Sequence, residues 1–173
     1  PELCYLQPIV RSAVDLINVQ FSAKNIRIEN QVSEFVLPVH GDPSRIEQVL
    51  LNLLYNACKF TSEGRVQIRS ATDDESLRTE IHDSGPGVKD GDHQLIFEAF
   101  EQESPTMTEG LGLGLSISKE IIEEHGGQIG VEQSTLGGAC FWFSLPLALP
   151  AQIPLTENEN NETGYKNVFF QGE

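Results

Sequence analysis

One long amphipathic pattern between residues 42 and 60 constrains the fold more than any other feature of the sequence. Asp42 directly precedes Pro43, which is a helix-start signal with Asp42 as the N-cap and proline at the first helical position. The apolar residues that follow at helical spacing are Ile46, Val49, Leu50, Leu53, Leu54 and Ala57. We therefore predict a helix over residues 43–60, ending at Thr61, with one face buried.

Shorter patterns on both sides of this helix complete a mixed set of helices and strands. They predict helices over residues 8–21 and 115–124, a strand over residues 26–32, and hairpins over residues 66–81 and 128–145. An irregular stretch over residues 83–114, interrupted by a short apolar piece at residues 95–100, lies between two glycine clusters. So long an irregular segment inside a compact domain is typical of a lid or a binding loop.

Length and composition indicate one globular domain, which we place at residues 1–149. Residues 150–173 become polar and rich in Asn and Glu, so we expect a disordered tail there. The chain has 26 acidic and 11 basic residues, a formal net charge of −15, which opposes binding to nucleic acid or anionic membranes. No apolar run is long enough to span a bilayer, and we expect a cytoplasmic location.

The cysteines and histidines give no sign of a metal site in the sequence. Three scattered cysteines, Cys4, Cys58 and Cys140, favour reduced thiols over a disulfide framework or a zinc site. The four histidines are His40, His82, His93 and His125. None of them has metal-ligand spacing with a cysteine or an aspartate, so we expect structural or solvent roles for all four.

Three polar residues on the predicted long helix share one side. Asn52 and Asn56 are four residues apart, and Lys59 follows three residues later, so all three lie along the border of the apolar stripe. Amide oxygens can complete the coordination of Mg²⁺, and a lysine can neutralise phosphate charge. The same pattern is also that of the wet face of an ordinary amphipathic helix.

A glycine-rich turn follows the second strand of the first predicted hairpin, with the sequence Asp83-Ser-Gly85-Pro-Gly87. An acidic side chain at a strand end, beside glycines that allow close approach of a ligand, can accept a hydrogen bond from an exocyclic amine such as that of adenine. An ordinary turn is the alternative, because these residue types are common turn formers.

A second glycine cluster, Gly110, Gly112 and Gly114, opens the last predicted helix. Exposed N–H groups at a helix N-terminus are a suitable seat for phosphates. The cluster is neither a Walker A loop, because no Gly-Lys-Ser/Thr follows at the required spacing, nor a good dinucleotide fingerprint. On its own it is a weak phosphate-binding signal.

Together and in this order, these motifs resemble the catalytic and ATP-binding domain of sensor histidine kinases. The similar segments are residues 45–61 (the N box), 83–88 (the G1 box), 96–102 (the F box), 110–115 (the G2 box) and 116–127 after it. The resemblance covers residues 5–147 and includes the wider superfamily of gyrase, Hsp90 and MutL. It implies an α+β two-layer sandwich of the Bergerat type: a mixed, mainly antiparallel sheet, covered on one face by about three helices, with a flexible ATP lid.

Ser134, Gly138 and residues 141–146 also follow the pattern of the family. The resemblance further implies a role for each matching residue of the ATP site. Asn56 would be the Mg²⁺ ligand, Lys59 a phosphate contact, Asn52 a polar partner near the triphosphate, and Asp83 the acceptor for the adenine amine. The lid would span residues 90–110. The other residues implied to form the ATP site are Gly85, Gly87, Phe97, Phe100, Gly110, Leu111, Gly112, Leu113, Gly114 and Leu115.

Asn52 favours a kinase over an ATPase. The related ATPases have a water-activating glutamate one turn before the Mg²⁺ asparagine, whereas this chain has Asn52 there, and transfer to histidine needs mainly positioning and charge stabilisation. Two departures weaken the case for fast transfer: Gln102 stands where many members have arginine, as in many hybrid-type kinases, and residues 104–109 lack a basic side chain. Two alternatives to a histidine kinase domain are another kinase of the same fold and a degenerate nucleotide-binding module.

The resemblance implies partners that carry the rest of the reaction. The phosphoacceptor histidine would lie on dimerisation helices that precede Pro1, and a response-regulator receiver domain would take the phosphoryl group from it. Dimerisation in this family belongs to those helices, so we expect this fragment to be a monomer. We expect this domain to be cytoplasmic, and its parent kinase could be membrane-anchored.

Overall fold

The computed structural model describes residues 2–89, 91–98 and 112–148. Its helices are α1 (Leu6–Ala23), α2 (Pro43–Phe60), α3 (Leu95–Glu98) and α4 (Gly112–Glu124). Its strands are β1 (Glu2–Cys4), β2 (Ile26–Asn30), β3 (Val39–Gly41), β4 (Gly64–Thr72), β5 (Ser76–Asp83), β6 (Gln128–Gln133) and β7 (Ala139–Pro146).

Five strands form the main sheet, in the order β2-β4-β5-β7-β6. Only the β2–β4 pair is parallel; β4–β5, β5–β7 and β6–β7 are antiparallel. Polar turns of three residues and of five residues close the two hairpins, which is why sequence neighbours pair there. The predicted mixed, mainly antiparallel sheet is confirmed.

Alternation along the strands gives the sheet one apolar face, and the helices cover it. The side chains of this inner face include Val66, Ile68, Leu77, Ile81, Phe141, Phe143 and Leu145, each of them buried. Helix α2 lies between α1 and α4 and contacts both, while α1 also contacts β2 and α4 contacts β6 and β7. The result is the predicted two-layer sandwich with three covering helices, to which the one-turn α3 adds a contact with α4.

The start of α2 is fixed by two side chains. The Asp42 carboxylate accepts hydrogen bonds from the backbone N–H groups of Ser44, at 2.9 Å, and Arg45, at 3.3 Å, as predicted for an N-cap. The Asp42 N–H itself donates to Nε2 of His125, at 3.0 Å, which leaves Nδ1 as the ring nitrogen that donates to the Ile121 carbonyl at 2.7 Å. His125 therefore has the structural role expected for it, joining the end of α4 to the start of α2.

Several sequence-based boundaries were wrong. Helix α4 begins at Gly112 rather than near Leu115, because its contacts with α2 outweigh the roughly 1 kcal/mol that each glycine costs inside a helix. The small antiparallel β1–β3 sheet was not predicted, because strands of three residues are too short to show alternation. Strand β2 ends at Asn30, two residues earlier than expected.

Other expectations concern the cysteines, the membrane and the chain end. Cys4, Cys58 and Cys140 are free and buried, as expected. Among the described residues, no helix is both long and apolar enough to cross a bilayer. The predicted tail over residues 150–173 lies outside the described residues, as do residue 90 and residues 99–110 of the predicted lid.

Lys24 stabilises the other end of α2. Its ammonium group donates to the carbonyls of Cys58, at 2.6 Å, Lys59, at 3.2 Å, and Thr61, at 3.1 Å. The carbonyls of a last helical turn lack intrahelical partners and lie at the negative end of the helix dipole. An ammonium group there both donates to these carbonyls and interacts favourably with the dipole.

Replacing Lys24 with methionine should therefore lower the free energy of unfolding by about 1 kcal/mol, because the carbonyls lose a charged donor that is exposed to solvent and only partly replaced by water. Urea denaturation of the variant measures this loss. Lys24→Arg is the matched control, since a guanidinium group can donate to the same carbonyls. Equal stability losses in the two variants would show that the cap contributes nothing.

Candidate functional site

Asp83, the last residue of β5, is a buried polar residue of the predicted site, and backbone hydrogen bonds fix its carboxylate. Its side chain is buried, and its Oδ1 accepts hydrogen bonds from the backbone N–H groups of Gly85, at 2.8 Å, and Ala139, at 3.0 Å. Burial raises the pKa of Asp83, although the two N–H donors and the neighbouring His82 act in the opposite direction. Oδ2 takes part in neither bond, so one carboxylate oxygen remains to accept from a ligand.

The contact with Gly85 is an Asx turn, so the turn interpretation of this motif was correct as far as it went. The bond from Ala139 goes further, because it joins Asp83 to a residue 56 positions away on β7. A side chain that only shaped its own turn would not need this second anchor. Asp83 is thus held in one orientation by two strands.

Glycines let the backbone approach Asp83 closely. A Cβ atom on Gly138 would overlap Oδ1 of Asp83 and lie 2.5 Å from the Gly85 nitrogen, so only glycine fits at this position. Gly87 has a φ of +76°, which side-chain-bearing residues rarely adopt. A cavity of about 280 Å³, whose lining includes Gly87, Gly138 and Lys89, opens beside this turn.

Asn52 faces α4 rather than solvent. It is half-buried, and its amide nitrogen donates to the Gly114 carbonyl and to Oγ of Ser118, both at 3.2 Å. Ser118 in turn donates to the Gly114 carbonyl at 2.7 Å. These bonds hold the first turn of α4, where Gly114 lies, against the middle of α2.

Asn56 lies one turn beyond Asn52 and is only 3% exposed. The interpretation of Asn52 and Asn56 as a wet helix face is therefore wrong. Within the described parts of the chain, the Asn56 amide makes no side-chain hydrogen bond, and its polar atoms are not fully shielded from solvent, so a ligand can reach them. A donor set of this kind, a buried amide beside Lys59 at the end of the same helix, suits a cation–phosphate ligand.

The end of α2 adjoins the Asp83 turn. A Cβ atom on Gly85 would lie 3.1 Å from the Phe60 carbonyl oxygen, which shows how closely the two segments approach. Asn56 and Lys59 occupy the last turn and a half before Phe60. The structure thus places Asn52 and Asn56 on α2, which contacts both α4 and β5 and whose end adjoins the Asp83 turn.

Two predicted site residues belong to the apolar core. Phe97, on α3, is 6% exposed and packs edge-on against Phe141, with ring centroids 6.4 Å apart at an angle of 72°. This agrees with a role for Phe97 in packing the base of the predicted lid. Leu115 is 2% exposed, so its side chain packs among other apolar groups and only its backbone could meet a ligand.

The remaining predicted positions are only partly described. Phe100, Gly110 and Leu111 lie outside the described residues, as does Gln102. Gly112 and Leu113 form the first helical residues of α4, so they do not belong to the loop in which they were expected.

Sequence reasoning matched Gly138 to the family pattern but gave the backbone donors of the site no role. Gly138 and Ala139 come from the second predicted hairpin, and Gly138 also donates its N–H to the Asp83 carbonyl at 3.2 Å. Their role depends on the pairing of β5 with β7, and no local sequence pattern predicts that pairing. Gly137 and Gly138 are adjacent, and such a pair in a hairpin turn is the one local signal that a close backbone approach was needed.

Comparison with known proteins places these features in one family. Residues 41–149 match the family described as Histidine kinase-, DNA gyrase B-, and HSP90-like ATPase. The chain is 36% identical over 155 residues to the sensor protein TorS of Escherichia coli, a match that covers 88% of this chain and 17% of TorS. It is 37% identical over 147 residues to the adaptive-response sensory kinase SasA of Gloeothece citriformis, covering 83% and 37%.

Solved structures agree with this assignment. The catalytic domain of the histidine kinase ThkA superimposes with a TM-score of 0.71 at 32% identity, and the match covers 85% of this chain and 97% of that one. Full-length ShkA in complex with AMPPNP superimposes with a TM-score of 0.73 at 32% identity, covering 85% of this chain and 31% of ShkA. This chain therefore spans a small part of the full-length kinases that it resembles.

Gly138→Ala should lower the free energy of unfolding by about 3 kcal/mol, because the new methyl group must displace Asp83 or the backbone of the turn. Thermal and urea denaturation measure the loss. Gly137→Ala is the neighbouring control: its Cβ has open space, so it should incur only the strain of its φ of +98°, roughly 1 kcal/mol. Equal losses for both variants would contradict the close packing of Gly138 on Asp83.

Proposed function

The chain belongs to the histidine kinase-, DNA gyrase B- and HSP90-like ATPase family, as the ATP-binding catalytic domain of a two-component histidine kinase, and on this premise we propose that it transfers the γ-phosphoryl group of ATP to a histidine on a dimerisation domain outside these residues. The observation that carries the proposal is the buried Asp83 carboxylate, held by two backbone donors on one oxygen and open on the other.

Asp83 is proposed to select adenine. Because Oδ1 is already engaged by Gly85 and Ala139, Oδ2 can accept the exocyclic N–H of adenine, which guanine replaces with a carbonyl. Two acceptors would then face each other, so a guanine nucleotide should bind poorly. Gly85 and Gly87 would shape the pocket around the base.

Asn56 and Lys59 are proposed to hold the charged part of the nucleotide. The buried Asn56 amide fits a Mg²⁺ ligand, since its oxygen has no side-chain partner among the described residues. When bound, Mg²⁺ neutralises charge on the phosphates and so lowers the barrier to transfer. Lys59, at the last turn of α2, adds a cation to a chain whose net charge is −15.

Asn52 is proposed to act by position and not as a base. An amide cannot remove a proton from water, and its nitrogen is already committed to Gly114 and Ser118 on α4. The bonds hold the start of α4, and with it Gly112 and Gly114, beside the proposed phosphate site. Without a carboxylate at this position, transfer to an imidazole nucleophile is favoured over hydrolysis.

The lid and the phosphate loop complete the proposal. Residues 90–110 would cover the nucleotide, with Phe97 and Phe100 at the base, and the backbone of residues 110–115 would approach the phosphates. The partners that we propose are the histidine-bearing dimerisation helices of the parent kinase and a receiver domain. Relatives such as TorS are several times longer than this chain, which leaves room in them for such domains.

Phosphotransfer to a supplied histidine tests the proposal directly. The chain is incubated with γ-labelled ATP, Mg²⁺ and the dimerisation domains of relatives such as TorS and GacS, and acid-labile phosphohistidine is measured. We expect label on the acceptor and little free phosphate. Release of phosphate without labelling of any acceptor would refute the kinase assignment and favour an ATPase.

Asn56→Ala provides the inactive control for this experiment. Loss of the amide should remove Mg²⁺-dependent nucleotide binding and phosphotransfer, while circular dichroism shows an intact fold, because the alanine leaves a small cavity and no unpaired polar group. Tyr55→Ala is the matched neighbour, since Tyr55 is 47% exposed, and should keep both activities. Unchanged Mg²⁺-dependent binding in Asn56→Ala would overturn the role of Asn56.

A further inference from the structure

The face of the main sheet opposite the helices carries a polar cluster that nucleotide binding does not use. Glu80 and His82 alternate with inner-face residues on β5, and Cys140 does so on β7, directly opposite His82. His82 and Cys140 are buried, at 4% and 0% exposure, while Glu80 is partly open to solvent. We call these three residues the outer-face cluster.

The three potential ligand atoms converge on one point. Nε2 of His82 lies 3.0 Å from Oε2 of Glu80 and 3.6 Å from Sγ of Cys140, and all three atoms lie within 4.8 Å of one another. Tetrahedral Zn²⁺ with bonds of about 2.0–2.3 Å separates its ligands by about 3.3–3.8 Å. Only small side-chain shifts would therefore be needed to admit such an ion.

Ser134 contacts Nδ1 of His82, the ring nitrogen that does not face Glu80 and Cys140. Its Oγ lies 3.3 Å from Nδ1 of His82 and accepts the Leu136 N–H at 3.0 Å. A hydroxyl group can donate to Nδ1, or accept from it when the proton moves there. In the second arrangement Nε2 has a free lone pair, which is the state that a metal ligand requires.

The charges around the cluster are mixed, since the carboxylate of Glu132 and the guanidinium groups of Arg69 and Arg78 lie near it. Arg78 pairs with Oε1 of Glu80 at 2.8 Å, which leaves Oε2 to face His82. Burial opposes ionisation of Glu80, but hydrogen bonds from His82 and Arg78 hold its pKa below the ordinary value, so it is a carboxylate. Burial, with the nearby carboxylates of Glu80 and Glu132, raises the pKa of Cys140 to about 12. A free Cys140 is thus a poor nucleophile, and the thiol would ligate a cation only by releasing its proton to solvent.

We infer that Glu80, His82 and Cys140 form a binding site for a borderline transition-metal cation of the Zn²⁺ class, distinct from the Mg²⁺–nucleotide site. A thiolate, an imidazole and one carboxylate are the ligand set of such an ion, whereas Mg²⁺ prefers oxygen ligands alone. The partly exposed Glu80 leaves the fourth position open to water. No metal-ligand spacing joins a histidine and a cysteine along the sequence, and it is the β5–β7 register that brings His82 and Cys140 together.

The site would clamp the two strands that hold Asp83. His82 directly precedes Asp83, and Cys140 directly follows Ala139, whose N–H donates to the Asp83 carboxylate. A cation joining His82 to Cys140 on one face would fix the strands at the place where Asp83 is anchored on the other. Binding should thus raise the unfolding temperature of the chain.

Titration of the full chain with Co²⁺, a spectroscopic substitute for Zn²⁺, tests the inference. We expect one equivalent to bind with a thiolate-to-cobalt charge-transfer band, to be displaced by Zn²⁺, and to persist in excess Mg²⁺. Cys140→Ser should abolish the band, and Ser134→Ala should keep it with roughly tenfold weaker binding. Cys4→Ser, which removes a buried cysteine outside the cluster, should bind Co²⁺ as the unmodified chain does.

Circular dichroism of each variant confirms that loss of the band does not reflect unfolding. If Cys140→Ser does not fold, His82→Gln provides the second test, with the same expected loss of Co²⁺ binding. A band that survives Cys140→Ser or His82→Gln, or a folded unmodified chain that gives no thiolate band, would overturn the inference. These readouts do not involve nucleotide, so they are independent of the proposed kinase function.

Discussion

Burial of the apolar stripe of α2 is the constraint on which the rest of the structure depends. Ile46, Leu50, Leu53 and Leu54 are all fully buried, and each such side chain gains about 1.5–3 kcal/mol from leaving water. A typical hydrogen bond contributes only about 1 kcal/mol net, so the stripe decides how the helix is rotated. With that rotation set, Asn52 faces α4 and Asn56 is buried one turn later.

The antiparallel pairing of β5 with β7 is the second constraint, and it serves both faces of the sheet. Successive residues of a strand point to opposite sides, so Asp83 faces the helices while His82 faces away. The same register places Ala139 against the Asp83 carboxylate and Cys140 beside the His82 ring. A change in register by one residue would exchange these faces and destroy both arrangements.

Elements with a long periodic signal could be predicted from the sequence. Elements whose bounds or pairing depend on tertiary contacts could not. Helix α2, with Asp42 as its N-cap, was predicted correctly because the apolar spacing and the capping signal agree. The start of α4 was misplaced because glycine disfavours a helix, and only the bonds from Asn52 and Ser118 to Gly114 explain why it continues there. The outer-face cluster could not be predicted from the sequence, because His82 and Cys140 are 58 residues apart and meet only through strand pairing.

We propose that a chain with a net charge of −15 binds ATP through a small set of placed groups. Backbone N–H groups, one buried carboxylate and one cation-binding amide would have to overcome a repulsive overall field. Calorimetric titration of the unmodified chain with ATP, with Mg²⁺ and then with a chelator, tests this most directly. We expect saturable binding that weakens when Mg²⁺ is removed. No heat of binding from a folded sample, or binding indifferent to Mg²⁺, would contradict it.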